Sequence, residues 1–268
     1  MKTVVITFDD GRNDNYNFAF KIMSKYGLKG TIFCTTGFID GTWQKKKDWY
    51  SAEQPLSLYQ LTEMHRYGWE IATHGDRHIT KIDDTKSAIS KLHKWGLSDS
   101  NGVGFSIPDS KVSKEDLKYF ISNLCPLPVK YIRCGRNTNT KSIFNRFLFF
   151  FYTYLNSYFA YEKFNKPNVV SVNSYNRFQI PSIVVRFKDS PKKIIKFIKK
   201  MPNDSLIVLM FHSILPNNSN YYGADPWNWE NDKMEMLCCE IKKIVDNNEA
   251  TVCTLSELIQ KGEKRWTY

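Results

Sequence analysis

Thr3-Val4-Val5-Ile6-Thr7-Phe8-Asp9-Asp10-Gly11 stands near the start of the chain. The first six residues are β-branched or aromatic and read as a buried strand. The run stops at two carboxylates and a glycine, so both acids emerge where the chain turns out of a sheet. Parallel α/β folds place their chemistry at this carboxyl end of the strands. Two neighbouring like charges are costly unless a cation or a proton separates them. An ion bound by one aspartate would leave the other as a base beside it. A solvated, Asx-capped turn accounts for Asp-Asp-Gly equally well, and the rest of the chain has to choose between the two.

Outward from this strand, short β-type runs alternate with amphipathic segments. Asn17 to Tyr26 carries Phe18, Ile22 and Met23 on one helical face and ends at Gly27. Thr31 to Thr35 reads as a strand, Ser57 to Tyr67 as a helix with Ser57 as N-cap, and Glu70 to Thr73 as a strand entering a histidine-bearing loop. Helices follow at Thr85–Trp95 and Lys114–Asn123, and a strand at Val129–Arg133. After an aromatic stretch come a short strand at Val169–Val172, the run Ile183 to Val185, and a basic helix at Lys192–Lys200 with Ile194, Ile195 and Ile198 inward. Leu206–Phe211 is a buried strand, Met234–Asn247 the last long helix, and Thr251–Cys253 a final strand. Strands alternating with helices predict an α/β fold with a mostly parallel sheet. No repeat and no linker divides the chain, so one domain is expected over 1–268.

The 268 residues include 42% hydrophobic and 24% charged side chains, which excludes a disordered or collagen-like chain. The 38 Lys and Arg against 27 Asp and Glu give a net charge of +11, and aromatics reach 15%. Together these suggest an anionic, glycan-like or membrane-adjacent partner. No nucleic-acid motif accompanies the charge. The lysines at 192, 193, 196, 199 and 200 read as a solvated helix face. The six cysteines, at 34, 125, 134, 238, 239 and 253, have no zinc-knuckle or thioredoxin spacing and read as reduced thiols. The start of the chain lacks the sectors of a signal peptide, so a cytoplasmic location, peripheral to the inner membrane face, is expected. Phe147 to Tyr161 is the longest apolar stretch, and Thr153, Asn156 and Ser157 interrupt it short of a membrane span.

Two of the five histidines, His74 and His78, stand four residues apart after a strand. Two imidazole nitrogens and one carboxylate, with positions left for water, form a donor set suited to zinc or another divalent transition metal. His212 ends the apolar run Leu206 to Phe211, at a third strand tip. An imidazole there, beside a metal site, has the pKa range of a general acid.

Thr7-Phe8-Asp9-Asp10-Gly11, then His74-x-x-x-His78, Arg133 and Leu209-x-x-His212 resemble, in order, the motifs of the polysaccharide deacetylase superfamily, the NodB-homology domains of carbohydrate esterase family 4. The resemblance implies a distorted, seven-stranded (β/α) barrel and metal-dependent hydrolysis of an N-acetyl amide on a glycan. Asp10, His74 and His78 correspond to the family's metal ligands, Asp9 to its catalytic base and His212 to its general acid. Arg133 resembles the arginine that holds the base. The implied metal is zinc first, with cobalt, nickel and manganese as other candidates. The implied partner is an N-acetylated glycan or a lipid-linked glycan precursor, with peripheral membrane contact.

The family's segment Arg-x-Pro-aromatic-Gly is replaced here by Arg133-Cys134-Gly135-Arg136-Asn137, and Gly75 follows the first ligand histidine where Ser or Thr is common. For the family's fourth motif, an Asp near a Trp, the chain offers Asp189, Asp204 or the stretch Asn173–Pro181. Arg136, Trp227 and Trp229 are candidate substrate-binding residues, the first through its backbone N–H. An aromatic-rich insertion is expected around 138–168, where Tyr152, Tyr154, Tyr158 and Tyr161 offer faces to sugars or to a membrane interface. Two other functions stay open: a metal-dependent amidase acting on a small non-glycan amide, and a degenerate glycan-binding protein.

Overall fold

The computed structural model describes residues 1–44, 54–98, 102–110, 114–123, 129–136, 142–223 and 226–263. Seven parallel strands form one curled sheet: β1 (Lys2–Asp10), β2 (Thr31–Cys34), β3 (Glu70–Thr73), β4 (Val103–Ser106), β5 (Val129–Arg133), β6 (Ile183–Val184) and β7 (Ser205–Phe211). Their order is β5-β4-β3-β2-β1-β7-β6, with the first strand interior between β2 and β7. Val170–Ser171 adds an antiparallel pairing to β7, and Ala250–Val252 a parallel one to β1. The free side of β5 is bridged as well. Ile132 and Cys134 donate backbone hydrogen bonds to Arg177 and Ile180, both at 2.8 Å, and the segment from Arg177 runs directly into β6. The expected α/β barrel with seven strands is therefore the observed architecture.

Because helices cover its outer face, the sheet is buried on both sides, and β7 is buried at all seven positions. Val4, Ile6 and Phe8 face the outer layer with Trp69, Phe20, Met23 and Ile32, while Val5 shares the inside with Phe33, Ala72, Tyr131, Leu206 and Val208. The helix-forming signals act locally. Ser57 caps Leu58–Arg66 with a reciprocal Ser57–Gln60 capping box, and Gly27 closes the first helix at φ 63°. That first helix starts as a π-turn over Asn15–Phe20 before Lys21–Lys25.

Two helices, Ile143–Leu155 and Tyr158–Asn165, pack against each other beside the carboxyl ends of the strands, joined at Asn156 in the left-handed region. Of the expected 138–168 segment, residues 138–141 lie outside the described residues. The basic helix spans Pro191–Lys200. One of its lysines departs from the solvated face: Lys193 is buried, where it bonds Asn156 and reaches the Asp189 carboxylate at 3.4 Å.

Register positions the site. Asp10 pairs with Cys34, Cys34 with Thr73, Thr73 with Phe105, Ser106 with Arg133, and on the other side Phe8 pairs with Phe211. In a parallel sheet these pairings form one row, so His74 and His212, each the next residue after a paired position, come out on the same rim as the two aspartates.

Candidate active site

In a regular strand, successive side chains point to opposite faces. Asp9 and Asp10 nevertheless both approach His74, at 3.8 Å from its Nε2, because Asp10 leaves the extended conformation at φ 78°. Each carboxylate is held by its own arginine. Asp9 accepts from Arg133 Nη2 at both oxygens, at 2.5 Å. Asp10 accepts at Oδ2 from Arg12 Nε and Nη2, at 3.0 and 2.7 Å, while its Oδ1 faces His78 Nε2 at 3.4 Å. All four residues of these two pairs are buried. Two adjacent carboxylates are tolerated in this interior because each has a cation in hydrogen-bond contact.

The four-residue histidine spacing closes through bends and not through a helix. His78 sits at φ 57°, and the rings lie edge to face with centroids 4.7 Å apart. Buried Asp84 shapes the loop by accepting from the backbone N–H of Asp76 at 2.8 Å and of Arg77 at 3.1 Å. The glycine after His74 follows from this. Gly75 has φ 85°, and a Cβ there would lie 2.6 Å from Asp84 Oδ2.

His74 Nδ1 lies 3.0 Å from the Ser106 carbonyl, which can only accept, so the ring proton sits on Nδ1 and the Nε2 lone pair faces the aspartates. Burial, with the neighbouring His78 second, holds the His74 pKa well below its ordinary value and keeps the ring neutral. Ligand atoms of Asp10, His74 and His78 lie within 4.8 Å of one another. One carboxylate oxygen and two imidazole nitrogens, one of them fixed in tautomer by its outer partner, fit a divalent transition metal.

His212 joins this rim from the other side of β1. Burial pulls its imidazole down to about 4, against the charges of Asp10 and Asp9, which favour the proton. Its Nδ1 is buried with no hydrogen-bond partner among the described residues. Asn15, at the start of the π-turn, donates to the His212 carbonyl at 2.6 Å. Trp227 lies beside the ring, with centroids 5.8 Å apart.

Arg133 is fully buried, stacks over Phe33 at 5.0 Å and also contacts Met210 Sδ. Arg136 turns away from the rim, and its guanidinium lies over Phe164 at 5.2 Å and Phe149 at 5.8 Å. Burial and the charge of Arg186 lower it to about 10. Trp229 requires a correction. It is 0% exposed, donates from Nε1 to the Asp189 carbonyl at 2.9 Å and packs on Phe211, so it offers no face to a sugar. Of the candidates for the missing fourth motif, Asp189 is buried and accepts from Tyr152 Oη at 2.8 Å and from the Arg186 backbone at 2.9 Å. Burial raises its pKa. Asp204 is exposed, 3.8 Å from the N-terminal amine.

Sequence reading missed Arg12, Ser106 and Trp43. Arg12 directly follows the Asp-Asp-Gly turn, and that position was its only signal. Ser106 comes from a separate strand. Trp43 stacks on His78, with rings 12° from parallel and centroids 6.5 Å apart.

Residues 1–96, the part of the chain that carries Asp9, Asp10, His74 and His78, match the family model described as Polysaccharide deacetylase. Over these residues the chain is similar to the polysaccharide deacetylases. YxkH of Bacillus subtilis (strain 168), which carries the polysaccharide deacetylase name, is 36% identical over 78 residues. That stretch spans 29% of this chain and 24% of the relative, so the chain matches about a quarter of the curated protein's length. The Xyl-CE4 domain of a multidomain xylanase from the hindgut metagenome of Trinervitermes trinervoides shares the fold at TM-score 0.50 and 15% identity, over 97% of this chain and 90% of that one. A family 4 acetyl xylan esterase from Clostridium thermocellum, solved with a cobalt ion, does so at TM-score 0.50 and 14% identity, over 97% and 91%. Both structures share the curled, barrel-like sheet of the present chain.

Proposed function

We propose that the protein is a metal-dependent hydrolase that removes N-acetyl groups from an amino-sugar-containing glycan. The observation that carries this reading is the pairing of Asp10, His74 and His78, with ligand atoms within 4.8 Å, to a second carboxylate at Asp9 that is bound to Arg133 and left out of the donor set. Asp10, His74 and His78 would hold a divalent ion, which would supply Lewis acidity toward an acyl oxygen and acidify water. Arg12 engages Asp10 Oδ2 and leaves Oδ1 toward the two histidines. Asp9, fixed in position by Arg133, takes the proton of the attacking water as general base. His212 passes a proton to the leaving nitrogen. Its imidazole is neutral in the resting site and takes up a proton from solvent as negative charge builds beside it, where Asp10 and Asp9 favour the protonated form. Acetate and a free amino sugar are the products.

The test combines metal analysis of the purified protein with acetate release from N-acetylglucosamine oligomers. The reading requires one bound divalent ion, acetate release that chelation abolishes and added metal restores, and loss of both metal and activity in His74→Ala. Bound metal without acetate release from any glycan would move the assignment to a small-amide substrate. No metal binding at all would leave a glycan-binding protein.

A further inference from the structure

The excess positive charge is confined to one part of the chain. Between Leu117 and Asn203 the sequence carries sixteen Lys and Arg and two carboxylates, Glu162 and Asp189. Both carboxylates are buried. Outside this stretch 25 carboxylates outnumber 22 basic residues.

The same stretch holds an apolar surface. Of the fifteen large hydrophobic side chains exposed among the described residues, eight lie on the helices Ile143–Leu155 and Tyr158–Asn165, at 44% to 72% exposure. On the first helix Ile143, Phe144, Phe147, Phe150, Phe151 and Tyr154 follow the spacing i, i+1, i+4, i+7, i+8, i+11, which draws one continuous stripe down the helix. Leu148 and Tyr152 fill the opposite face and pack inward, so the exposed stripe is a second apolar face that the fold does not use. Its cations sit on the rings: Lys188 Nζ over Tyr154 at 5.9 Å, Lys163 Nζ over Phe159 at 5.8 Å and Lys196 Nζ over Tyr158 at 4.3 Å. Neither helix is long and apolar enough to cross a membrane.

We propose that this face docks on the surface of an anionic lipid bilayer. Aromatic rings and lysine stems seat at the boundary between headgroups and acyl chains, and the flanking cations meet anionic headgroups. A second copy of the chain is a poor occupant, because self-pairing would press two strongly basic surfaces together. An anionic bilayer satisfies the apolar stripe and the cations at once. On its inner side the same helix reaches toward the site, since Arg186 lies over Phe149 at 4.6 Å and over Trp227 at 5.0 Å, and Trp227 flanks His212. The surface assignment does not depend on the reaction catalysed.

Co-sedimentation of the full chain with vesicles of phosphatidylglycerol and phosphatidylcholine, compared with phosphatidylcholine alone, tests the proposal. The protein should pellet with the anionic vesicles and be released by high salt. Phe147→Ser with Phe150→Ser should weaken binding about ten-fold for each ring removed. Lys188→Gln with Lys196→Gln should weaken it about five-fold per lysine at low salt. Both variants should keep the wild-type melting temperature and acetate release from soluble oligomers, which separates failure of this surface from failure of the proposed reaction. Absence of pelleting with anionic vesicles would overturn the proposal, as would equal pelleting of the phenylalanine variant. A lipid-free dimer that the same variant converts to monomer would assign the face to self-association instead.

Discussion

Along the rim of the sheet each of the two adjacent aspartates has an arginine in contact: Arg133 lies on Asp9 and Arg12 on Asp10, all within the interior. Along the neighbouring helix pair the cations meet rings, and Arg136, Arg186, Lys188 and Lys196 lie over Phe164, Phe149, Tyr154 and Tyr158. The rim is thus polar, buried and mutually neutralised, and removing one member strands another. The outer face of the helix pair is apolar, solvated and independent of the core. Sites that do chemistry need geometry over-determined by partners. Surfaces that adsorb need only area and charge.

Three substitutions bear on that contrast. Asp9→Asn removes the uncommitted base while leaving Asp10, His74 and His78 in place. Acetate release should fall by about 10² to 10⁴ with metal content unchanged, and full turnover would remove Asp9 from the reaction. Arg133→Met leaves the buried Asp9 carboxylate without its cation and should cost about 3–5 kcal/mol in denaturant unfolding. Combining it with Asp9→Asn should recover part of that loss, and strict additivity would mean the two residues are not coupled. Phe147→Ser, on the solvated stripe, should change unfolding free energy by no more than about 0.5 kcal/mol. A loss of several kcal/mol there would show that the face is part of the core after all.

Much of the rim was legible because strand ends are local features. Each of Asp9, Asp10, His74 and His212 follows an apolar run whose period marks a buried strand, and parallel pairing sends all such ends to one side. Arg12 was overlooked because a charged residue after an Asp-Asp-Gly turn reads as solvated. Here the chain folds back so that Arg12 also reaches Ser213, 201 residues away. Trp229 was misread for the same reason, since its Pro/Asn/Gly-rich surroundings suggest a surface loop. In the fold it pairs as a short strand with Ile214–Leu215 and is sealed from solvent. The glycine after His74 looked like a mild departure, and it follows from the Asp84 carboxylate lying where a side chain would begin.

Periodicity, turn chemistry and the order of polar residues at strand tips, all readable within a few neighbours along the chain, were enough to specify an α/β fold with a mostly parallel sheet and the residues on its rim, and the barrel followed from the motif resemblance. Which arginine serves which aspartate, which tryptophan is sealed, and which face of an almost wholly apolar helix meets solvent depended on assembly. Those outcomes rest on contacts between segments far apart in sequence, and a helix that is apolar around its circumference carries no local signal of the side its own protein will cover.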